Sequence, residues 1–247
     1  MTTGNGVFVF PSLEALIARM ETGLAELEEQ RDTRRYFHET YLRTTRAVGD
    51  ELKRGGFGDP GWVERWDVTF ADLYLDALEA STHGGKVPGP WAAAFGARTV
   101  PPLRHVLLGM NAHINYDLPQ ALLAVISDSE FGDPALLARR EADHRHIDQV
   151  LAALVDKGSG LGWANRLATK RFLAEARAKV WINASVLAGA RRRGTLQTRL
   201  ADLERLATAK VAELTKPGPV LLRLAVGGFG VALPDDSDTL PDDEGGG

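Results

Sequence analysis

The sequence predicts an all-α protein that folds as a single-domain bundle of about seven to nine helices. Apolar residues recur every three or four positions along most of the chain, which is the period of an amphipathic helix. Proline and glycine interrupt this pattern at intervals and mark the starts and ends of helices. No stretch alternates apolar and polar residues for long enough to indicate a strand, and 247 residues suit one helical domain.

The first three helices are predicted from their start and stop signals. Ser12 can cap a helix over 13–27, whose apolar residues form one stripe. A second helix is predicted over about 33–54, because Gly55-Gly56 follows it. Asp59-Pro60 starts a third helix, since aspartate can act as the cap while proline occupies the first turn.

The later helices follow from the same signals. A short helix is expected around Trp91 and a longer one after Pro101-Pro102, with a kink or a restart at Pro119. Asp133-Pro134 repeats the start signal of the third helix. The remaining helices are predicted over 134–155, 165–190 and 195–214, and a last apolar segment covers 220–226.

The helical domain is therefore expected to span residues 12–226. Residues 1–11 are expected to form an N-terminal arm. Residues 227–247 are expected to form a flexible acidic tail, because this segment ends in acidic residues and glycines and has few apolar residues to anchor it.

Composition excludes several classes of function. The chain contains no cysteine, so disulfides, zinc–thiolate sites and thiol nucleophiles are excluded. The net charge of −4 and the short, scattered basic clusters do not favour nucleic-acid binding. Apolar runs are too short to cross a bilayer. We expect a cytoplasmic protein whose partner is a small-molecule substrate rather than nucleic acid or membrane; the sequence predicts no oligomeric state.

The densest polar cluster lies in an otherwise apolar helix, between Asn111 and Asp117. His113 and Asp117 are four positions apart, which places both side chains on one face of a helix. An imidazole and a carboxylate in that arrangement can share a divalent metal, or they can hydrogen-bond to each other. Asn111 and Asn115 form a second pair with the same spacing, and their amides could orient a substrate or a neighbouring ligand.

A metal site is one interpretation of the histidines. His144 and Asp148 repeat the four-residue spacing on another helix, and helical bundles build metal sites from such inward-facing sets. His38 and Asp67 lie near the apolar faces of two earlier helices and could complete the shell. The metal ligands predicted on this hypothesis are His113, Asp117, His144, Asp148 and His38, for zinc, iron or manganese. The alternative is that they are core histidines with satisfied hydrogen bonds, or part of a solvated face.

Five further residues are weaker candidates. Asp67 follows Trp66 and precedes Phe70, so its carboxylate is expected in an aromatic environment. Tyr41 and Tyr74 could donate hydrogen bonds to a substrate or within the core. Arg177 and Trp181 are four apart and could stack on each other, and Arg177 could clamp an anionic group.

The run from Leu108 to Pro119 resembles the signature of DUF5995, a family of mainly actinobacterial, all-helical proteins of unknown function. The segments 41–48, 62–77 and 177–181 resemble further blocks of the same family. The resemblance extends over roughly residues 12–224, which is one domain's worth of chain. It implies a helical fold and implies no particular activity.

Three functions stay open at this point. The first is a hydrolase-like enzyme in which a divalent metal at His113 and Asp117 polarises a substrate oxygen or activates water. The second is a metal-free cyclase, isomerase or dehydratase of secondary metabolism, in which His113 or Asp67 moves a proton. The third is a ligand-binding protein that performs no chemistry.

Overall fold

The computed structural model describes the backbone of residues 12–158 and 163–234, and the side chains of these residues except 152–174, 221 and 225. Within this part of the chain every regular element is helical, which confirms the predicted all-α class. The elements are α1 (Leu13–Glu29), α2 (Arg35–Lys53), α3 (Pro60–His83), α4 (Gly89–Gly96), α5 (Pro102–Ala112), a π-helix (His113–Asp117), α6 (Leu118–Val125), α7 (Asp128–Phe131), α8 (Pro134–Gly158), α9 (Trp163–Arg192), α10 (Leu196–Thr215) and α11 (Val220–Gly227).

The described residues contain more helical segments than the seven to nine predicted. The segment 102–125 is divided into α5, the π-helix and α6, and the short α7 has no counterpart in the apolar pattern. None of the helices found in these residues is long and apolar enough to cross a membrane.

The predicted start signals act as caps in the structure. The Ser12 side chain accepts a hydrogen bond from the backbone N–H of Ala15, at 3.2 Å. Asp59 accepts one from the backbone N–H of Trp62, at 3.0 Å, with Pro60 in the first turn of α3. These bonds satisfy backbone donors that no helical carbonyl can reach, so the local sequence defines both helix starts.

The middle of the bundle is the continuous segment formed by α5, the π-helix and α6. Helices α2, α3, α9 and α10 all pack against it. The apolar residues of this segment are therefore almost completely buried, as Leu108, Ala112, Leu118 and Leu122 show. A polar side chain on this segment loses its contact with water, and burial raises the free energy of any polar group that gains no new partner.

The π-helix lies where the sequence predicted a kink or a restart. The backbone N–H of Leu118 donates to the carbonyl of His113, five residues earlier, instead of the usual four. Pro119 follows directly; it has no N–H, and its ring crowds the carbonyl four residues before it. A wider turn at this point keeps the segment helical through the proline and changes the direction in which the His113 and Asp117 side chains project.

The packed part of the chain extends beyond the predicted boundary at residue 226. Phe229, Val231 and Leu233 are buried, and the backbone around them is held by asparagine side chains from the π-helix and from α9. The predicted start of the tail at residue 227 is therefore too early by several residues, because hydrogen bonds to distant asparagines cannot be predicted from local composition. The N-terminal arm over 1–11 and residues 235–247 lie outside the described residues.

Helices α2 and α5 approach each other at Gly109, and a Gly109→Ala substitution tests how closely. An added Cβ would lie 2.3 Å from Cγ of Phe37, so the ring or the helix would have to move. We expect this overpacking to lower the free energy of unfolding by about 2–3 kcal/mol in urea titrations. Gly96→Ala is the control, since a Cβ there meets nothing within 4 Å; a loss as large as that of Gly109→Ala would contradict the close approach.

Candidate functional site

His113 lies inside a cage of aromatic rings at the centre of the bundle. Its imidazole stacks on Phe70 with centroids 3.6 Å apart and an interplanar angle of 6°. The ring of Tyr41 meets it edge-on at 4.5 Å. Three further rings have centroids within about 6 Å, namely Phe37, Tyr74 and Trp91. The imidazole is only 3% exposed, so its protonation depends on its neighbours rather than on bulk water.

Asp117 anchors one nitrogen of this imidazole. His113 Nδ1 lies 2.8 Å from Asp117 Oδ2, and the indole Nε1 of Trp91 donates to the same oxygen at 2.9 Å. Of the two arrangements predicted for this pair, the structure contains the one in which the side chains hydrogen-bond to each other. Trp91 belongs to α4, so a helix distant in sequence orients the carboxylate and, through it, the imidazole.

Burial controls the charge of this pair. It raises the pKa of Asp117 well above its ordinary value, an effect that the hydrogen bond from Trp91 opposes. It also lowers the pKa of His113 far below its ordinary value, and the positive charge of Arg177 lowers it further. The pair therefore carries no net charge at neutral pH, with one proton between Asp117 Oδ2 and His113 Nδ1 and a second on His113 Nε2.

His113 Nε2 and two neighbouring groups make no hydrogen bonds within the described residues. These groups are the hydroxyl of Tyr41 and Oδ2 of Asp67. Burial raises the pKa of Asp67 to about 7, while Arg177 acts to lower it. The pKa of the Tyr41 hydroxyl is raised well above its ordinary value by burial and by the negative charges of Asp67 and Asp117, which places all of these groups in one electrostatic neighbourhood.

A second polar cluster surrounds His144. Trp181 Nε1 donates to His144 Nδ1 at 2.9 Å, and Arg177 Nη1 lies 3.3 Å from His144 Nε2. The same Arg177 nitrogen forms an ion pair with Asp148 at 2.6 Å. Arg177 and Trp181, predicted to stack on each other, thus meet at this imidazole. The ring of Trp66 lies edge-on to it at 5.4 Å and separates it from Phe70 and His113.

The predicted metal ligands do not assemble. His38 Nε2 lies 2.8 Å from the carbonyl of Met20, and its Nδ1 lies 2.9 Å from the Tyr74 hydroxyl, so both ring nitrogens already have partners. Asp148 pairs with Arg177 instead of sharing an ion with His144. No group of three or more His, Asp or Glu side chains among the described residues is placed to hold a metal ion. Four-residue spacing brings two ligands together, but the relative rotation of the helices determines whether others join them.

The two asparagines of the central motif bind backbone. The side-chain amides of Asn111 and Asn115 both donate to the carbonyl of Phe229, at 2.9 and 3.0 Å. Asn115 Oδ1 also accepts from the backbone N–H of Val231, at 2.9 Å. Their predicted role in orienting a substrate therefore has a structural alternative, which is to fasten the segment 229–233 to the core.

Sequence reasoning missed two residues of the site. Trp91 was predicted only as part of a short helix, and Phe70 only as a neighbour of Asp67. A buried tryptophan usually finds an acceptor for its N–H, which was the available signal for Trp91. No spacing rule, however, connects it with an aspartate 26 positions later.

The fold and site together define an all-helical domain whose interior holds a histidine–aspartate pair beside a protonatable carboxylate. Residues 13–217 match the family model described as "Family of unknown function (DUF5995)". The match covers most of the chain and includes the π-helix, so this chain belongs to the DUF5995 family. No curated protein matches the chain, and no solved structure does.

Proposed function

We propose that this protein is a metal-free acid–base enzyme that moves a proton within a small organic substrate, as in an isomerisation or a dehydration. The observation that carries the proposal is the asymmetry of His113. Its Nδ1 is held through Asp117 by Trp91, whereas its Nε2 is buried without a hydrogen bond in the described part of the chain. An imidazole oriented at one nitrogen and free at the other is the arrangement that proton transfer requires.

Two groups of opposite role would carry the reaction. Asp67 is the base, because a carboxylate with a pKa of about 7 is partly ionised at neutral pH and still accepts a proton effectively. It takes a proton from a C–H or O–H of the substrate and becomes neutral. His113 is the acid, and its Nε2–H donates to another substrate atom or to a departing hydroxyl.

The partners of His113 explain how it could release that proton. As Nε2 loses its proton to the substrate, Nδ1 takes the proton that it shares with Asp117 Oδ2. The imidazole stays neutral and the charge develops on Asp117, where the N–H of Trp91 stabilises it. The dyad ends with one negative charge and Asp67 with one proton more, so the protons balance.

A purely structural network would be arranged differently. His38, in the same core, has partners at both ring nitrogens. Around His113, in contrast, the Tyr41 hydroxyl, Asp67 Oδ2 and His113 Nε2 all lack hydrogen bonds among the described residues. Each such buried group costs about 1–3 kcal/mol of stability. A core selected for stability alone would have apolar or fully hydrogen-bonded residues at these positions. The unpaired groups therefore support a role in binding or chemistry.

The other two functions receive less support. A metal-dependent hydrolase using zinc, iron or manganese would need ligands that the described residues do not bring together. A ligand-binding protein without chemistry is the second candidate, and the near-complete burial of His113 and Asp117 favours it, because such enclosure slows the exchange of substrate and product. A cytoplasmic location stays a prediction from the absence of cysteine.

The experiment follows solvent deuterium. Purified protein is incubated in D₂O containing EDTA with a deproteinised small-molecule extract of the source organism, and mass spectrometry records compounds that gain deuterium or change mass. We expect at least one compound to be converted by the wild type, and a His113→Gln variant to convert it about 10²–10⁴-fold more slowly.

His38→Gln is the matched control for the loss of a buried histidine. It should lower the melting temperature and leave the conversion rate within a few-fold of wild type, because His38 lies outside the proton path. If the three proteins give identical mass spectra, the enzyme proposal fails. Conversion that EDTA abolishes and zinc restores would instead support the metal-dependent alternative.

A further inference from the structure

The bundle contains two buried arginines whose surroundings differ. Arg140 is paired with two carboxylates, Asp59 at 2.5 Å and Glu130 at 3.2 Å. Its guanidinium also lies over the ring of Trp62, 4.9 Å from the centroid. Two negative charges and an aromatic face compensate its positive charge, so Arg140 serves as a structural ion-pair centre.

Arg177 has fewer partners although it is equally buried, at 6% exposure against 8% for Arg140. Its ion pair is with Asp148, whose side chain is 33% exposed to solvent. Its Nε makes no hydrogen bond with any described residue, as is also true of Arg140 Nε, so the two arginines differ in the number of carboxylates and not at this atom. Asp67 acts on it electrostatically but forms no hydrogen bond to it in the described structure. The Nε–H of this guanidinium is therefore left without an acceptor.

His144 cannot supply that acceptor. Trp181 Nε1 and Arg177 Nη1 are both obligate donors, and they face the two nitrogens of the same imidazole. A neutral imidazole accepts at one nitrogen only. Burial and the charge of Arg177 keep His144 neutral by lowering its pKa, so the shorter bond from Trp181 takes the accepting nitrogen. The indole N–H of Trp66, whose ring borders His144, also lacks a partner among the described residues. Donors thus outnumber acceptors around His144, and the unpaired Asp67 Oδ2 forms no hydrogen bond to any of them.

We infer that Arg177 binds a carboxylate of the substrate, which makes the substrate a small organic acid. The inference rests on the proposed function and narrows its substrate class. A guanidinium edge donates two parallel bonds to a carboxylate, and those bonds would satisfy the donors that the protein leaves unpaired. The stacked rings of Trp66 and Phe70 lie beside His144, and such flat aromatic surfaces suit a planar, unsaturated or aromatic acid.

A cavity on the surface borders this cluster at Trp181, while Arg177 and His144 are not part of its lining. It has a volume of about 510 Å³, and Trp181 is part of its lining together with Ile182 and Ser185. The indole of Trp181 therefore has the cavity on one side and His144 on the other. A volume of this size accommodates a small organic acid.

The test uses three probes of the same shape and different charge: benzoate, benzamide and benzylamine. Isothermal titration calorimetry of the full chain is expected to show benzoate binding at least ten-fold more tightly than either other probe. Arg177→Lys should weaken benzoate binding at least ten-fold, because an ammonium group cannot form the two parallel bonds. Arg140→Lys is the matched control and should leave benzoate affinity unchanged.

Asp148→Asn keeps the test decisive if Arg177→Lys does not fold. Removing the competing carboxylate frees the guanidinium, so benzoate should bind several-fold more tightly. Weaker or unchanged benzoate binding in Asp148→Asn overturns the inference, and so does a preference for benzylamine. The absence of benzoate binding at about 10 mM also overturns it, because a ligand with a millimolar Kd would be bound at that concentration.

The two proposals fail separately. His113→Gln should retain benzoate binding because the carboxylate contact does not involve proton transfer. Benzoate binding without any His113-dependent conversion would leave a carboxylate-binding protein and remove the enzyme proposal. Conversion of a compound that carries no carboxylate would leave the enzyme and remove the role of Arg177.

Discussion

Between pH 5 and pH 8 the free energy of unfolding of the wild type is expected to fall by roughly 2–3 kcal/mol because of Asp67, and the Asp67→Asn variant is expected not to show this fall. The pKa of Asp67 is raised by burial from 3.8 to about 7 in the folded protein. Between these values the folded state holds a proton that the unfolded state has released, so the stability falls as the pH rises towards 7. Above pH 7 both states are ionised, and the buried charge remains as a constant penalty.

The measurement is urea unfolding of both proteins at pH 5, 6.5 and 8. Asparagine has the shape of neutral Asp67 and no proton to lose, so the variant should already exceed the wild type by about 1–2 kcal/mol at pH 5 and by a larger margin at pH 8. Other buried acids and histidines titrate in both proteins and cancel in the difference. Asp76→Asn, on the exposed side of the same helix, is the control and should change the pH dependence far less. A pH-independent difference between Asp67→Asn and wild type would show that Asp67 is ionised throughout.

Replacing Asp117 with asparagine is expected to lower the conversion rate on the order of 10³-fold while the fold is preserved. In the wild type both contacts, at 2.8 and 2.9 Å, are made by Asp117 Oδ2. An asparagine NH₂ at that position can still donate to His113 Nδ1, but it cannot accept from Trp91, so one of the two hydrogen bonds is lost. The amide cannot, however, pass a proton to Nδ1. His113 then has no route to replace the proton that Nε2 gives to the substrate.

Two measurements check this result. Deuterium uptake by the converted compound reports the rate, and ¹⁵N chemical shifts of the His113 ring report its protonation. Both proteins should carry the proton on Nε2, since Nδ1 accepts in each. Trp91→Phe is the control for the loss of a single hydrogen bond and should reduce the rate only about ten-fold. A wild-type His113 protonated at Nδ1 and bare at Nε2 would reverse the assigned role of His113 from acid to base.

The local signals in the sequence were sufficient to predict where the main helices lie. Ser12 and Asp59 cap α1 and α3 because each acts on backbone only three residues away, and such short-range bonds do not depend on the rest of the fold. The pairing of His113 with Asp117 was predictable for the same reason, since helical pitch brings positions four apart onto one face even when the turn widens to a π-helix. The run around these residues also indicated the DUF5995 family, to which the chain belongs.

The roles of the side chains could not be predicted from the sequence, because they depend on which helices face each other in the fold. Asn111 and Asn115 looked like substrate ligands, yet both donate to the backbone at Phe229, more than a hundred positions away. His38 looked like a metal ligand, yet the carbonyl of Met20 and the hydroxyl of Tyr74 occupy its nitrogens. Spacing along one helix is set by covalent geometry, whereas the partner of a buried polar group is set by the packing of helices that are distant in the chain.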